Sequence, residues 1–216
     1  MANLVGEDTN YGHEHDPAVS DGYLLPKLIS ILGRRAPSER TAFDLGAGTG
    51  GAAGGLGALN YTIVGVEPSP EGVAIANQRF PAARIEVGSG YDDLAARYGR
   101  FPVVYSLEVI EHVYSPRQFV KTAHDLLEPG GLLVLSTPYH GYWKNLAMAL
   151  TGKLDRHFTA LWDHGHIKFW SLKTLTSLLD EAGFTDIQFE FTGRPMPFAK
   201  SMFAIARKPG DVLPRP

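Results

Sequence analysis

Short apolar runs alternate with amphipathic segments along most of this chain. Residues 41–45 (Thr-Ala-Phe-Asp-Leu) read as a first strand and 49–59 as a helix. A second strand covers 61–67, and Ser69 as N-cap with Pro70 at the first helical position opens the next helix. Residues 84–87 form a short third strand and 102–107 a buried fourth. Ser115 and Pro116 begin a helix in which Phe119, Val120, Ala123, Leu126 and Leu127 share one face, and Glu128, Pro129 and Gly130 end it. Residues 131–137 read as a fifth strand. Ser171 then caps a helix that buries Leu172, Leu175, Leu178 and Leu179 and stops at Gly183. Two last strands, 184–191 and 198–206, are joined through Gly193, Arg194 and Pro195 with no helix between them.

Strand–helix alternation predicts an α/β fold, Rossmann-like, with helices on both faces of a seven-stranded, mostly parallel sheet. The final pair is too closely linked for a crossover, so it must be antiparallel. Residues 1–35 divide into a polar tail and a helix-like stretch interrupted by Gly22 and Pro26; residues 36–208 form the domain. The rhythm breaks at 139–170, between the fifth strand and the helix capped by Ser171. An insertion at the carboxyl end of a parallel strand lies over the ligand crevice of such sheets, so this helical segment is expected to be a cap. A small satellite core on the sheet edge is the plainer reading for most of its apolar residues.

Composition narrows the class. A length of 216 residues suits one domain, and 44% hydrophobic with 20% charged residues is ordinary for a globular protein. The chain has no cysteine, which excludes disulfides and thiolate chemistry. No apolar run reaches the roughly 20 residues of a membrane span, and the polar N-terminus is not a signal peptide, so the cytoplasm is the expected location. A net charge of -3 disfavours a nucleic-acid partner.

Candidate chemistry begins at the first strand's end. Asp44, Gly46, Gly48 and Gly50 form a tight turn that lets backbone approach a nucleoside ligand. Gly46, Gly48 and Gly51 also satisfy dinucleotide spacing, so the glycines alone leave a nicotinamide cofactor open. Asp44 tips the balance: a carboxylate there repels a pyrophosphate and attracts the ammonium of a methionine moiety. Glu67 ends the second strand, where its two oxygens can accept from ribose hydroxyls.

These residues, with Val66, Glu67, Pro68 and Ser69, residues 106–113 (Ser-Leu-Glu-Val-Ile-Glu-His-Val) and the Leu-Leu-Glu-Pro-Gly-Gly turn at 126–131, resemble class I S-adenosylmethionine-dependent methyltransferases. The 107–113 stretch is most similar to ubiquinone-biosynthesis O-methyltransferases and related small-molecule enzymes. The resemblance implies that Asp44, Gly46 and Gly48 line the methionine end, that Glu67 binds the ribose, and that Ser106 and Leu107 flank the sulfonium. Ala47, Pro68 and Tyr91 complete the expected S-adenosylmethionine site, whose product is S-adenosylhomocysteine. Where the family often has an acidic residue near the adenine, this chain has Ser89, with Asp92 three residues on. Tyr11, in the tail, could close over the cofactor as a lid.

The activated methyl needs alignment and a deprotonated acceptor. His112, His140, His164 and His166 are the candidate general bases, the last three on the cap; His112 could equally be a structural histidine. In some ubiquinone-type relatives the motif's two glutamates and histidine are associated with a divalent cation; Glu108, Glu111 and His112 match them. The function so implied is methyl transfer to a small-molecule acceptor, by preference at oxygen. The alternatives are N-methylation of a small molecule, a nicotinamide oxidoreductase, and a partner subunit that binds cofactor without chemistry. Lysines and aromatics on the cap allow at most a peripheral membrane contact. Neither the acceptor nor the oligomeric state is legible.

Overall fold

The computed structural model describes residues 18–33, 35–158, 160–162 and 165–210. Seven strands make one sheet: β1 (Thr41–Leu45), β2 (Thr62–Glu67), β3 (Arg84–Val87), β4 (Phe101–Leu107), β5 (Leu127–Pro138), β6 (Thr185–Thr192) and β7 (Ser201–Arg207). Their spatial order is β3-β2-β1-β4-β5-β7-β6. Strands β1 to β5 pair in parallel, and β7 runs antiparallel to both β5 and β6.

Alternation along each strand sends neighbouring side chains to opposite faces. Ala42, Val103 and Tyr105 enter one core with Leu24, Leu28 and Leu32 of α1 (Ala18–Leu32), Leu56 of α2 (Gly51–Gly57) and Ala76 of α3 (Pro70–Arg79). Phe43, Leu45 and Val104 enter the other. There they meet Leu94 of α4 (Leu94–Tyr98), Phe119 and Val120 of α5 (Pro116–Asp125) and a pair of leucines, Leu175 and Leu179, placed further along the chain. Helices α6 (Tyr142–Leu150) and α7 (Leu154–Phe158) follow β5 in the inserted segment, and α8 (Leu172–Glu181), which carries those leucines, returns the chain to the sheet.

Local differences from the pattern have physical causes. Helix α1 runs through Pro26 because Gly22 and Pro26 lie on its exposed side while Leu24, Leu28 and Leu32 hold the other side in the core. Burial on that face outweighs one lost backbone hydrogen bond. Strand β5 starts at Leu127, paired with Phe101, and resumes at Leu132 opposite Val103. The expected helix-ending turn at 128–130 is therefore a bulge within the strand, with Gly130 at φ 76°. Helix α4, capped by Asp93 accepting from the Ala96 N–H at 3.2 Å, is too short for hydrophobic periodicity to reveal. Among the described residues no helix is long and apolar enough to cross a membrane.

Candidate functional site

The carboxyl ends of β1, β2 and β4 open onto a cleft of about 430 Å³. Its shape begins with the turn after β1. Gly46, Gly48 and Gly50 take φ values of 92°, 53° and 80°, the left-handed region that glycine tolerates. A Cβ on Gly46 would lie 2.7 Å from Val109, so the turn is packed directly against the segment following β4. The N–H groups of Gly46 and Ala47 both donate to the Val66 carbonyl at 3.0 Å, fastening the turn to β2. Glu67 completes the clasp, accepting from Gly48 N–H at 2.9 Å and Ser69 N–H at 3.0 Å. A carboxylate oxygen can accept a second hydrogen bond, so this anchoring is compatible with binding hydroxyls.

Asp44 lies beneath the turn, 2% exposed, and accepts from the Tyr105 hydroxyl at 2.8 Å. Burial pushes its carboxyl up to about 7, against the opposing hydrogen bond from Tyr105. Ser106 is also buried, donating to the Leu45 carbonyl at 2.6 Å, and so braces β4 against β1. On the far wall, Asp92 accepts from Ser89 N–H at 2.8 Å and shapes the loop after β3.

The end of β4 carries a backbone irregularity. Glu108 has φ 51°, a conformation costly for a residue with a side chain and concentrated at functional sites. Its N–H donates to the Ser136 hydroxyl at 3.0 Å, while its carboxyl accepts from Ser136 at 2.9 Å and Ser201 at 3.3 Å. Burial raises this carboxyl to about 7, the two serines opposing. Glu111 is wholly buried, and its carboxyl is pushed well above the usual range by burial first and by the charge of Glu108 second.

The inserted segment is pinned to this strand end. Ile167 and Lys168 N–H groups both donate to the Glu111 carbonyl at 2.9 Å, and the Trp170 indole donates to the Ile110 carbonyl at 3.2 Å. His166 is thereby brought to His112, ring centroids 4.8 Å apart, with Trp162 edge-on to the His112 ring. Burial, with the neighbouring imidazoles, holds His166 down at about 4.

Of the residues expected from sequence, Gly46, Gly48, Glu67, Pro68, Ser89, Tyr91, Leu107, Glu108 and His112 line the cleft. Asp44, Ala47, Asp92, Ser106, Glu111 and His166 are not among its lining residues; they stand behind or beside it. His140 is not brought to the cleft: it is buried among His157, Phe158 and Phe169, and burial pushes it down to about 4. Tyr11 and His164 lie outside the described residues. Val109, Val113, Tyr114, Phe119 and Trp162 line the cleft unforeseen. Only their apolar character could have signalled them, and core residues share it.

Comparison with known proteins decides the family. A family model described as a methyltransferase domain matches residues 15–188. The chain belongs to the methyltransferase-domain family. It is of the class I, S-adenosylmethionine-dependent kind, and the sheet with its antiparallel β7 is the architecture this resemblance led us to expect. The methyltransferase domain is 31% identical over 144 residues to a ubiquinone biosynthesis O-methyltransferase of Cereibacter sphaeroides, covering 65% of this chain and 58% of that one. A Dinoroseobacter shibae protein of the same name is 29% identical over 173 residues, 74% of this chain and 68% of its own length. The chain thus spans roughly three-fifths to two-thirds of the curated relatives it matches. Among solved structures, the YcgJ protein of Bacillus subtilis superposes with a TM-score of 0.63 at 16% identity, covering 86% of this chain and 97% of that one. An O-methyltransferase family protein from Burkholderia thailandensis superposes with a TM-score of 0.65 at 14% identity, covering 87% and 57%. These two likenesses concern the fold.

Proposed function

We propose that this protein transfers a methyl group from S-adenosylmethionine to an oxygen of a small, largely apolar acceptor and releases S-adenosylhomocysteine. The observation that carries the reading is the clasp of Glu67 on the glycine turn, which sets an acceptor pair at one end of a cleft whose far end is bounded by His112 and Trp162. In this assignment Glu67 takes the ribose hydroxyls and Asp44 faces the methionine ammonium. Ser89, Tyr91 and Asp92 form the adenine wall, and Leu107 flanks the sulfonium. The names of the relatives favour oxygen as the nucleophile.

In the reaction the acceptor oxygen attacks the methyl carbon as the S–CH3 bond breaks, and the sulfonium leaves as a neutral thioether. The acceptor's proton is lost from its oxygen. The chain's work is orientation: an in-line arrangement held by the cleft supplies several kcal/mol, up to about 7–11 in favourable cases. Val109, Val113 and Phe119 give the cleft apolar walls, and this assignment puts the acceptor at the His112 end.

The test is calorimetric titration with S-adenosylhomocysteine and, separately, NADH, followed by transfer of labelled methyl from S-adenosylmethionine into a metabolite extract. Binding of the first ligand with label in an extractable small molecule is expected. Tight NADH binding instead would replace the reading with an oxidoreductase; cofactor binding without any transfer would replace it with a non-catalytic subunit.

A further inference from the structure

We propose that Ser136 is a positioning residue for the cofactor cleft: it locks Glu108 in the left-handed conformation that turns the chain off β4 and brings Val109 onto the glycine turn. The inference rests on the S-adenosylmethionine reading and concerns how the sulfonium end of that site is shaped. Among the described residues, three other than glycine have positive φ: Asn60, Glu108 and Asp186. Asparagine and aspartate enter that region comparatively readily because their short side chains bond the local backbone; a glutamate has no such help. Of the three, only Glu108 lines the cleft.

Ser136 grips Glu108 at both ends of the residue. Its Oγ accepts from the Glu108 N–H at 3.0 Å and donates to Glu108 Oε1 at 2.9 Å. Ser136 stands opposite Leu107 in the ladder between β4 and β5 and is itself buried. Ser201 of β7 donates to the other carboxyl oxygen at 3.3 Å. The grip matters because a glutamate left to itself prefers extended or right-handed helical backbone. The consequence falls on the next residue. Extended backbone at 108 would continue the line of β4 and carry Val109 away from the turn. With φ at 51°, Val109 instead lies where a Cβ on Gly46 would be 2.7 Å from it. Gly46, Leu107, Glu108 and Val109 all line the cleft, so this one strained residue sets the approach of β4 to the glycine turn.

Calorimetric titration of the full-length protein and its variants with S-adenosylhomocysteine tests the role. E108A removes the restraint and should weaken binding about tenfold or more. E108G also lacks the carboxyl but tolerates positive φ, so it should bind within about threefold of wild type, the reverse of the usual cost of glycine against alanine. S136A should weaken binding about tenfold alone and less than twofold in the E108G background, where nothing is left to hold. Urea unfolding checks that each variant is folded, and S136A, which loses a single hydroxyl, carries the test if E108A does not fold. Equal affinities in E108A and E108G overturn the proposal. An S136A effect of the same size in both backgrounds overturns it too, because the serine would then act without residue 108. Wild-type protein that does not bind S-adenosylhomocysteine overturns this proposal and the cofactor reading together, whereas either failed comparison beside intact wild-type binding overturns the positioning role alone.

Discussion

The Tyr105 hydroxyl donates to Asp44 at 2.8 Å across neighbouring strands, beneath the glycine turn, and both groups are buried. Burial raises Asp44 to about 7 from its ordinary 3.8, so near neutrality the folded chain holds a proton that the unfolded chain gives up. This group's contribution to stability is therefore fully present below about 3.8, declines as pH rises, and is lost above about 7. Asp44→Asn should remove that dependence, a difference on the order of 4 kcal/mol at most. Urea unfolding of both proteins at pH 5 and pH 8 checks it; parallel pH dependence would discard the buried-carboxyl account.

The same proton links to cofactor. An ammonium placed beside Asp44 favours the carboxylate, so S-adenosylhomocysteine binding should release a proton near neutrality and tighten as pH rises toward 7. Calorimetry in buffers of different ionisation enthalpy measures the release. Proton uptake, or none, places the ammonium elsewhere.

Glu67 holds two backbone N–H groups of the site, those of Gly48 and Ser69. Glu67→Ala leaves both without this acceptor and should cost about 2–6 kcal/mol in unfolding free energy, counting roughly 1–3 for each donor left unpaired. Affinity for S-adenosylhomocysteine should fall more than about tenfold, which one unpaired charge-assisted hydrogen bond accounts for. Denaturant titration and calorimetry read the two effects, and unchanged affinity would sink the ribose assignment.

Two glycines of α2 should respond oppositely to alanine. At Gly54 a Cβ would lie 2.1 Å from the Phe80 ring, whereas at Gly57 nothing lies within 4 Å. Gly57→Ala should stabilise by about 0.5–1 kcal/mol through backbone entropy, and Gly54→Ala should destabilise by about 1–3 kcal/mol through overpacking. Melting temperatures moving in the same direction would contradict the packing of α2 on α3.

Trp162 lines the cleft and stands edge-on to His112, ring centroids 5.7 Å apart, and the proposed function puts the acceptor at this end. Trp162→Ala should raise the acceptor KM about tenfold while leaving S-adenosylhomocysteine affinity within about twofold, the result of removing one aromatic wall. Steady-state kinetics against acceptor and calorimetry against cofactor separate the two. An equal loss in both would move Trp162 to the cofactor side.

The sequence by itself determined the sheet, the antiparallel finish and the glycine turn with Glu67 that lines the cleft. Apolar alternation, glycine turns and caps act over a few residues. Asp44 and Glu67 sit near the carboxyl ends of β1 and β2, with Gly46 and Gly48 in the turn that follows β1. Tertiary structure decided the rest. Asp44 meets Tyr105 from 61 residues away. His140 and His166 look alike on the chain, yet packing sends one into an aromatic nest and the other to Glu111. No local periodicity encodes that choice. It arises from hydrogen bonds between the inserted segment and the end of β4, which form only after the sheet has brought the two together.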